Sequence, residues 1–329
     1  MEQVTVIGGG SWATALVKIL SENKNEVTWW LRNESDVQHI SEYRHNPRYI
    51  SGITFNLDYV FPTADLPASL EKAKVVVLAI PAAFIETALS ALSQSALAGK
   101  MVVSAIKGMV PQKNILITDF LEQVYHVSPQ QQCVIAGPCH AEEVALEKQS
   151  YLTIGSHEVK LAEEFCRLLR NRYVKATPVD DIDGIEYCAV MKNIIALACG
   201  ITHGLGYGDN FQAVLVSNAL QEIKRFLHAV MPVTRDLSGS AYLGDLLVTA
   251  YSQFSRNRTF GNMIGRGYTV KSAQFEMNMI AEGYYAVQSI YAMNKILKVN
   301  MPITDAVYRI LYERISPAVE IELLKEKFT

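Results

Sequence analysis

The run VTVIGGGSWATALVKIL, residues 4 to 20, restricts the fold more than any other stretch of this chain. Val4–Ile7 reads as a strand and TALVKIL as a helix, so three consecutive glycines fall where strand becomes helix. In the spacing G-x-G-x-x-A, Gly8 permits the tight turn, Gly10 lets the backbone approach a pyrophosphate, and small Ala13 lets helix and sheet pack closely. The phosphates would sit at the helix start, where backbone N–H groups and the macrodipole favour negative charge. A plain strand–turn–helix tolerates the same spacing, and it is the place of the pattern, opening a β-α-β unit, that gives it weight. The second strand, EVTWWLRN, ends in Arg32 and Asn33 and lacks the acid that would hold a ribose 2′-OH. Arg32 suits a 2′-phosphate, so NADP(H) is expected ahead of NAD(H), with an ordinary surface arginine as the plainer reading.

Further strands are expected at Val75–Ala79, Met101–Ala105, Val134–Ile135, Tyr151–Ile154 and Tyr173–Ala176. VVVLAI is apolar on both faces, as a strand covered by helices on both sides should be. Alternation of strands and helices implies a parallel, doubly wound α/β sheet of Rossmann type. After the polar stretch TPVDDIDG the β-branched runs vanish and long helical ones follow, including IEYCAVMKNIIALACGI and a segment opening at Pro302 with Thr304 as N-cap. The chain therefore divides into a nucleotide-binding domain, 1–180, and an all-α domain, 181–329.

A net charge of −3 gives no sign of a nucleic-acid partner or an anionic membrane, though one cationic cleft for a phosphorylated metabolite stays open. The run VVVLAIPAAFI is interrupted by Pro81 and falls short of the roughly 20 residues a spanning helix needs, so no membrane insertion is expected. MEQVTVIGG has no basic leader region, so no signal peptide is expected. Cys133, Cys139, Cys166, Cys188 and Cys199 show no metal-like spacing with the histidines, and their odd number suits a reducing, cytoplasmic setting with no bound metal. The oligomeric state stays open, a homodimer included.

A hydride-transfer enzyme without a metal needs a proton donor near the nicotinamide. Lys192 lies in the apolar helix AVMKNIIALACGI, where desolvation would lower its pKa; snorkelling to the surface is the alternative. Asn193 beside it is a candidate to orient it. Lys107, in SAIKGM, follows a strand at the sheet edge where ligands bind in such folds. The turn AGPCHAEEVA leads into a helix start whose amides around Cys139–Ala141 suit an anion or a carboxamide. Asp245 is placed either to cap a helix or to pair with Lys192. SRNR, residues 255–258, gathers a hydroxyl, an amide and two guanidiniums suited to phosphate, or marks a solvated helix end.

Taken in order, GGGSWATAL, AIP, IKG, AGPCHAEEVA, VMKNIIALACGI, GLGYGDN, LGDLLVT, SRNRTFG, AEGYYAV and MPIT resemble the bacterial NAD(P)-dependent glycerol-3-phosphate dehydrogenases nearly end to end. The resemblance implies reversible reduction of dihydroxyacetone phosphate to sn-glycerol 3-phosphate for phospholipid synthesis, and a helical domain like that of 6-phosphogluconate dehydrogenase. It implies that Lys192 passes the proton to and from the C2 oxygen and that Lys107 touches both cofactor and substrate. Gly137 and Cys139 match substrate positions; Asp245, Ser255, Arg256 and Asn257 match the glycerol-phosphate pocket, with Arg256 also reaching the cofactor. Ser11, Trp12, Arg32, Ala141, Ile280 and Glu282 match cofactor positions. Cys139 stands where the family carries Thr or Ser, which removes a hydroxyl and leaves a backbone N–H contact; His140 replaces an aromatic, a change of shape. Another enzyme of this architecture acting on a carboxylate, or a non-catalytic nucleotide sensor, are the competing readings.

Overall fold

The computed structural model describes residues 2–277 and 281–328. It separates into two compact units, Met1–Ile106 with Ile117–Asp183, and Lys107–Leu116 with Gly184–Thr329. A single cut at 180/181 does not account for Lys107–Leu116. Met109 and Leu116 from this excursion are 2% and 1% exposed inside the core of the helical unit, and nothing in their composition separates them from the strands on either side.

The first unit is built on eight strands, β1 Gln3–Ile7, β2 Glu26–Trp30, β3 Val60–Thr63, β4 Val75–Leu78, β5 Met101–Ser104, β6 Gln132–Ala136, β7 Ser150–Gly155 and β8 Val174–Val179. They lie in the order β3-β2-β1-β4-β5-β6-β7-β8. The strand order reverses at β1, which pairs in parallel with β2 (Ile7 opposite Trp30) and with β4 (Ile7 opposite Leu78). That crevice is where open α/β sheets bind ligands. The sheet is not wholly parallel as expected: β7 runs antiparallel to β6, with Ile135 opposite Ile154, and β8 then runs parallel to β7. β3, VFPT, is an additional strand. It tolerates Pro62 because an edge strand bonds on one side only.

The second unit is organised around the helix Ile182–Gly204, buried on all sides from Gly184 to Thr202. It is long and apolar enough to cross a bilayer by composition, yet every residue of that apolar window is buried inside the protein, as in a central core helix. Four glycines seat it against the helix Arg256–Gly265. A Cβ on Gly200 would lie 2.1 Å from the Arg258 carbonyl oxygen, on Gly204 2.4 Å from that of Asn262, on Gly261 2.2 Å from that of Leu197, and on Gly265 2.2 Å from that of Ile201. The two backbones thus touch along two turns, a closeness only glycine allows. Gly283 repeats the device, its absent Cβ falling 2.6 Å from the Asn193 carbonyl oxygen. The helix beginning at Pro302 is not capped by Thr304. Instead the buried Glu222 carboxylate accepts from the N–H groups of Ile303 and Thr304, at 2.8 and 2.9 Å, and from the Thr304 hydroxyl at 2.6 Å.

Candidate active site

In the first unit, Gly8, Arg32 and Gly137 all follow the carboxyl ends of strands, β1, β2 and β6. Gly8 has φ +134°, and a Cβ there would meet the Ala79 carbonyl oxygen at 2.2 Å, so the turn admits no side chain at that point. A Cβ on Gly10 would meet nothing within 4 Å. Gly10 is the N-cap of the helix Ser11–Glu22, which has no side-chain cap and no acidic residue in its first turn. Open space at Gly10 and a helix start with no acidic residue in its first turn fit the pyrophosphate of a dinucleotide. Ser11 is buried and Trp12 half-buried at the head of the helix. Arg32 is exposed and forms no ion pair among the described residues, which leaves its guanidinium available to a 2′-phosphate.

The turn after β6 departs from expectation. Gly137, at φ +118°, is required by packing, since a Cβ would lie 2.5 Å from the Tyr151 carbonyl oxygen. The Cys139 N–H donates to the Gly137 carbonyl at 2.9 Å and its thiol to the Tyr151 carbonyl at 3.2 Å, so that amide already serves the turn. Ala141 opens a helix of five residues, with His140 at the N-cap position making no side-chain cap and Glu142 and Glu143 in the first turn. Two carboxylates there work against an anion.

In the second unit the ionisable groups converge. Lys192, 2% exposed in mid-helix, donates to the carboxylate of Asp245, itself 1% exposed at the start of the helix Asp245–Tyr251. Lys107 Nζ lies 3.8 Å from the other oxygen of the same carboxylate. Asp245 therefore pairs with Lys192 and does not cap its helix. Burial drives the Lys192 ammonium down from 10.5 to about 7; Asp245 opposes that fall and Lys107 adds to it. Two lysines reach one buried carboxylate, an arrangement suited to an anionic substrate. Asn193 does not orient Lys192. Neighbouring helical residues point about 100° apart, and its amide donates instead to the Lys107 carbonyl at 2.7 Å, holding the excursion 107–116 against the central helix.

SRNR is a helix start and not a solvated end, with Ser255 and Asn257 buried and both arginines half-buried. Ser255 caps the helix Arg256–Gly265 by accepting from the Arg258 N–H at 3.3 Å. Asn257 accepts from the Gly283 N–H at 2.9 Å, which ties this helix to the first turn of Glu282–Leu297, where half-buried Glu282 sits. Arg256 is half-buried between Ser255 and Asn257. Ile280 lies outside the described residues. Among the described residues no group of three or more His, Cys, Asp or Glu side chains is arranged to hold a metal ion. The glycine pairs that lock the helices carrying these residues are visible in sequence as GITHG and GNMIG, spaced four apart, and belong with the site because they fix its geometry.

Sequence and structure comparisons agree with this architecture. The family model for the N-terminus of NAD-dependent glycerol-3-phosphate dehydrogenase matches residues 3–162, and that for its C-terminus matches 181–322. The glycerol-3-phosphate dehydrogenase [NAD(P)+] of Bacillus subtilis is 34% identical over 330 residues, covering 99% of this chain and 95% of its own. A crystal structure of glycerol-3-phosphate dehydrogenase from Coxiella burnetii superposes with a TM-score of 0.91 at 28% identity, covering 99% of both chains. A D-mandelate dehydrogenase in complex with NADH reaches 0.62 at 17% identity over 98% of this chain and 99% of its own, so the fold alone does not select the substrate. Full-length identity and both family matches do make the selection: the chain belongs to the NAD-dependent glycerol-3-phosphate dehydrogenase family.

Proposed function

We propose that this chain catalyses the reversible, NAD(P)H-dependent reduction of dihydroxyacetone phosphate to sn-glycerol 3-phosphate, the reaction of its family. The observation that carries the reading is the pair of lysines on one buried carboxylate, Lys192 and Lys107 on Asp245. NAD(P)H, when bound, supplies the hydride that the ketone carbon accepts. Lys192 as ammonium polarises the ketone and gives its proton to the C2 oxygen; in reverse, the neutral amine takes it back. A positioned acid of this kind contributes roughly 10²–10⁴ in rate. Asp245 keeps the Lys192 amine oriented, and Lys107, on the same carboxylate, touches the substrate beside it. Ser255, Arg256 and Asn257 form the phosphate subsite, whose binding energy, remote from the reacting carbon, fixes orientation; Gly137 and Cys139 are assigned to the substrate by the family resemblance alone.

The nucleotide falls to the first unit, through Gly8, Gly10, Ser11, Trp12, Arg32 and Ala141, and proton transfer to the second, which includes Lys107; Ile280 and Glu282 are assigned to the cofactor by the family resemblance alone. Five buried thiols outside any disulfide favour a cytoplasmic setting, consistent with a role in supplying glycerol 3-phosphate to phospholipid synthesis.

The test is loss of reduced-nucleotide absorbance on adding dihydroxyacetone phosphate, with ketopantoate and acetoacetyl substrates as comparators. Turnover of a comparator at the same efficiency, or no turnover of the phosphate ester, overturns the reading.

The lowered Lys192 pKa gives a signed pH dependence. Reduction needs the ammonium, so its kcat/KM is full below about pH 7 and falls as pH rises through that value. Oxidation of glycerol 3-phosphate needs the neutral amine and rises over the same window. A reduction profile that climbs with pH there removes Lys192 as the acid.

Arg32→Asp is expected to lower the NADPH-to-NADH ratio of kcat/KM by about tenfold to a hundredfold, the worth of one charged hydrogen bond. An unchanged ratio shows that Arg32 does not read the 2′-phosphate.

A further inference from the structure

We infer that Asn46 is a positioning residue for the dinucleotide, setting its affinity by pinning the Gly9 carbonyl. This rests on the NAD(P)H-binding reading above. The difficulty begins in the sequence. Three consecutive glycines make the least restrained backbone available, and each loses more conformational freedom on ordering than any other residue. A turn that must present its amides to a pyrophosphate therefore needs fixing from outside.

The structure supplies three pins, one for each glycine carbonyl. The indole N–H of Trp29 donates to Gly8 at 2.6 Å. The Asn46 amide donates to Gly9 at 3.0 Å. The Thr14 hydroxyl donates to Gly10 at 2.9 Å. In a trans peptide the C=O and the following N–H point in opposite directions, so three held carbonyls turn the N–H groups of Gly9, Gly10 and Ser11 to the other side of the turn. The turn is thereby set before any ligand arrives, and preorganisation of this kind appears as affinity.

Asn46 is the pin that belongs to neither strand nor helix of the nucleotide motif, and it is the most heavily used. It is 2% exposed. Its second N–H donates to the Thr14 hydroxyl oxygen at 2.8 Å, so it also steadies the Gly10 pin. Its carbonyl accepts from the N–H groups of Arg48 at 2.9 Å and Tyr49 at 3.1 Å. A primary amide has two donor hydrogens and two acceptor sites, and all four are spent here. The donor half faces the glycine turn and the acceptor half orders its own loop. The two halves can be separated chemically.

Asn46→Asp keeps size and both acceptor contacts and removes the donors, leaving a carboxylate oxygen against the Gly9 carbonyl. Asn46→Ala removes everything. Nucleotide binding is followed by fluorescence titration with NADPH and with NADH, alongside kcat, the KM for dihydroxyacetone phosphate and thermal melting. Both variants are expected to weaken both nucleotides by about tenfold or more, Asp at least as much as Ala, with the NADPH-to-NADH ratio unchanged. At saturating nucleotide, kcat and the substrate KM should stay within about twofold of the parent. Parent-like nucleotide affinity in Asn46→Asp overturns the inference, because the loop contacts alone would then suffice. A parallel loss of kcat and substrate KM also overturns it, as general damage. Asn46→Ser, too short to reach Gly9, takes the place of the alanine variant if that one does not fold, with the same loss of affinity expected. Absence of nucleotide binding in the parent protein would instead defeat the functional reading itself.

Discussion

Lys192→Met is expected to lower kcat for dihydroxyacetone phosphate reduction by about 10²–10⁴-fold while leaving nucleotide affinity unchanged. Methionine fills the buried space without a proton to give. It also removes the nearer cation from Asp245, leaving that carboxylate with Lys107 at 3.8 Å. Breaking a buried pair from one side is destabilising by several kcal/mol, so loss of turnover alone would be ambiguous. Lys192→Arg resolves it. A guanidinium keeps Asp245 paired, but its proton is not released near neutral pH, whereas burial lowers the Lys192 ammonium toward that range. The arginine variant should be folded, should bind nucleotide and should be nearly as inactive as the methionine variant. Turnover within tenfold of the parent in Lys192→Arg means that charge, and not proton transfer, is what the site requires of this position.

The parts of the molecule that could be read from sequence are those where one residue type has one physical use. The glycine turn after β1 is legible because that spacing opens a β-α-β unit, where a phosphate-binding turn calls for it, and Lys192 because an ammonium in an apolar helix needs a reason. Elsewhere the determinant is a contact that spacing does not encode. β3 is disguised by Pro62 and by Phe61, 46% exposed, because an edge strand needs neither a full hydrogen-bond ladder nor two apolar faces. The reversal of β7 depends on the path of the chain between Ala136 and Ser150, and its side-chain alternation is the same in either direction. Lys107–Leu116 joins the helical unit through Met109, Leu116 and the Asn193 hydrogen bond, each an ordinary residue in sequence. Cys139 reads in sequence as a missing hydroxyl, yet its thiol and amide are both committed to the turn around Gly137, a matter of local packing.

The glycine pairs of the central helix lead to the second large effect. Gly200→Ala and Gly261→Ala pit two magnitudes against each other. In a helix interior alanine is favoured over glycine by about 1 kcal/mol, which would stabilise both variants were the positions open. They are closed: the new Cβ would meet the Arg258 carbonyl oxygen at 2.1 Å in the first and the Leu197 carbonyl oxygen at 2.2 Å in the second. Backbone atoms cannot rotate aside as a side chain can, so the helices must part. Overpacking of this kind costs about 1–3 kcal/mol or more, and we expect it to outweigh the propensity gain. At about 2–4 °C per kcal/mol, the melting temperature should fall by several degrees. Activity should suffer more than stability, because parting the helices displaces Ser255, Arg256 and Asn257 from Lys192, and a misplacement of about 1 Å can cost around a hundredfold. Gly52→Ala, where a Cβ meets nothing within 4 Å, is the control and should change neither quantity. If Gly200→Ala melted at or above the parent temperature with parent kcat/KM, propensity would have won, and the close crossing could not be what holds the phosphate subsite against the lysine.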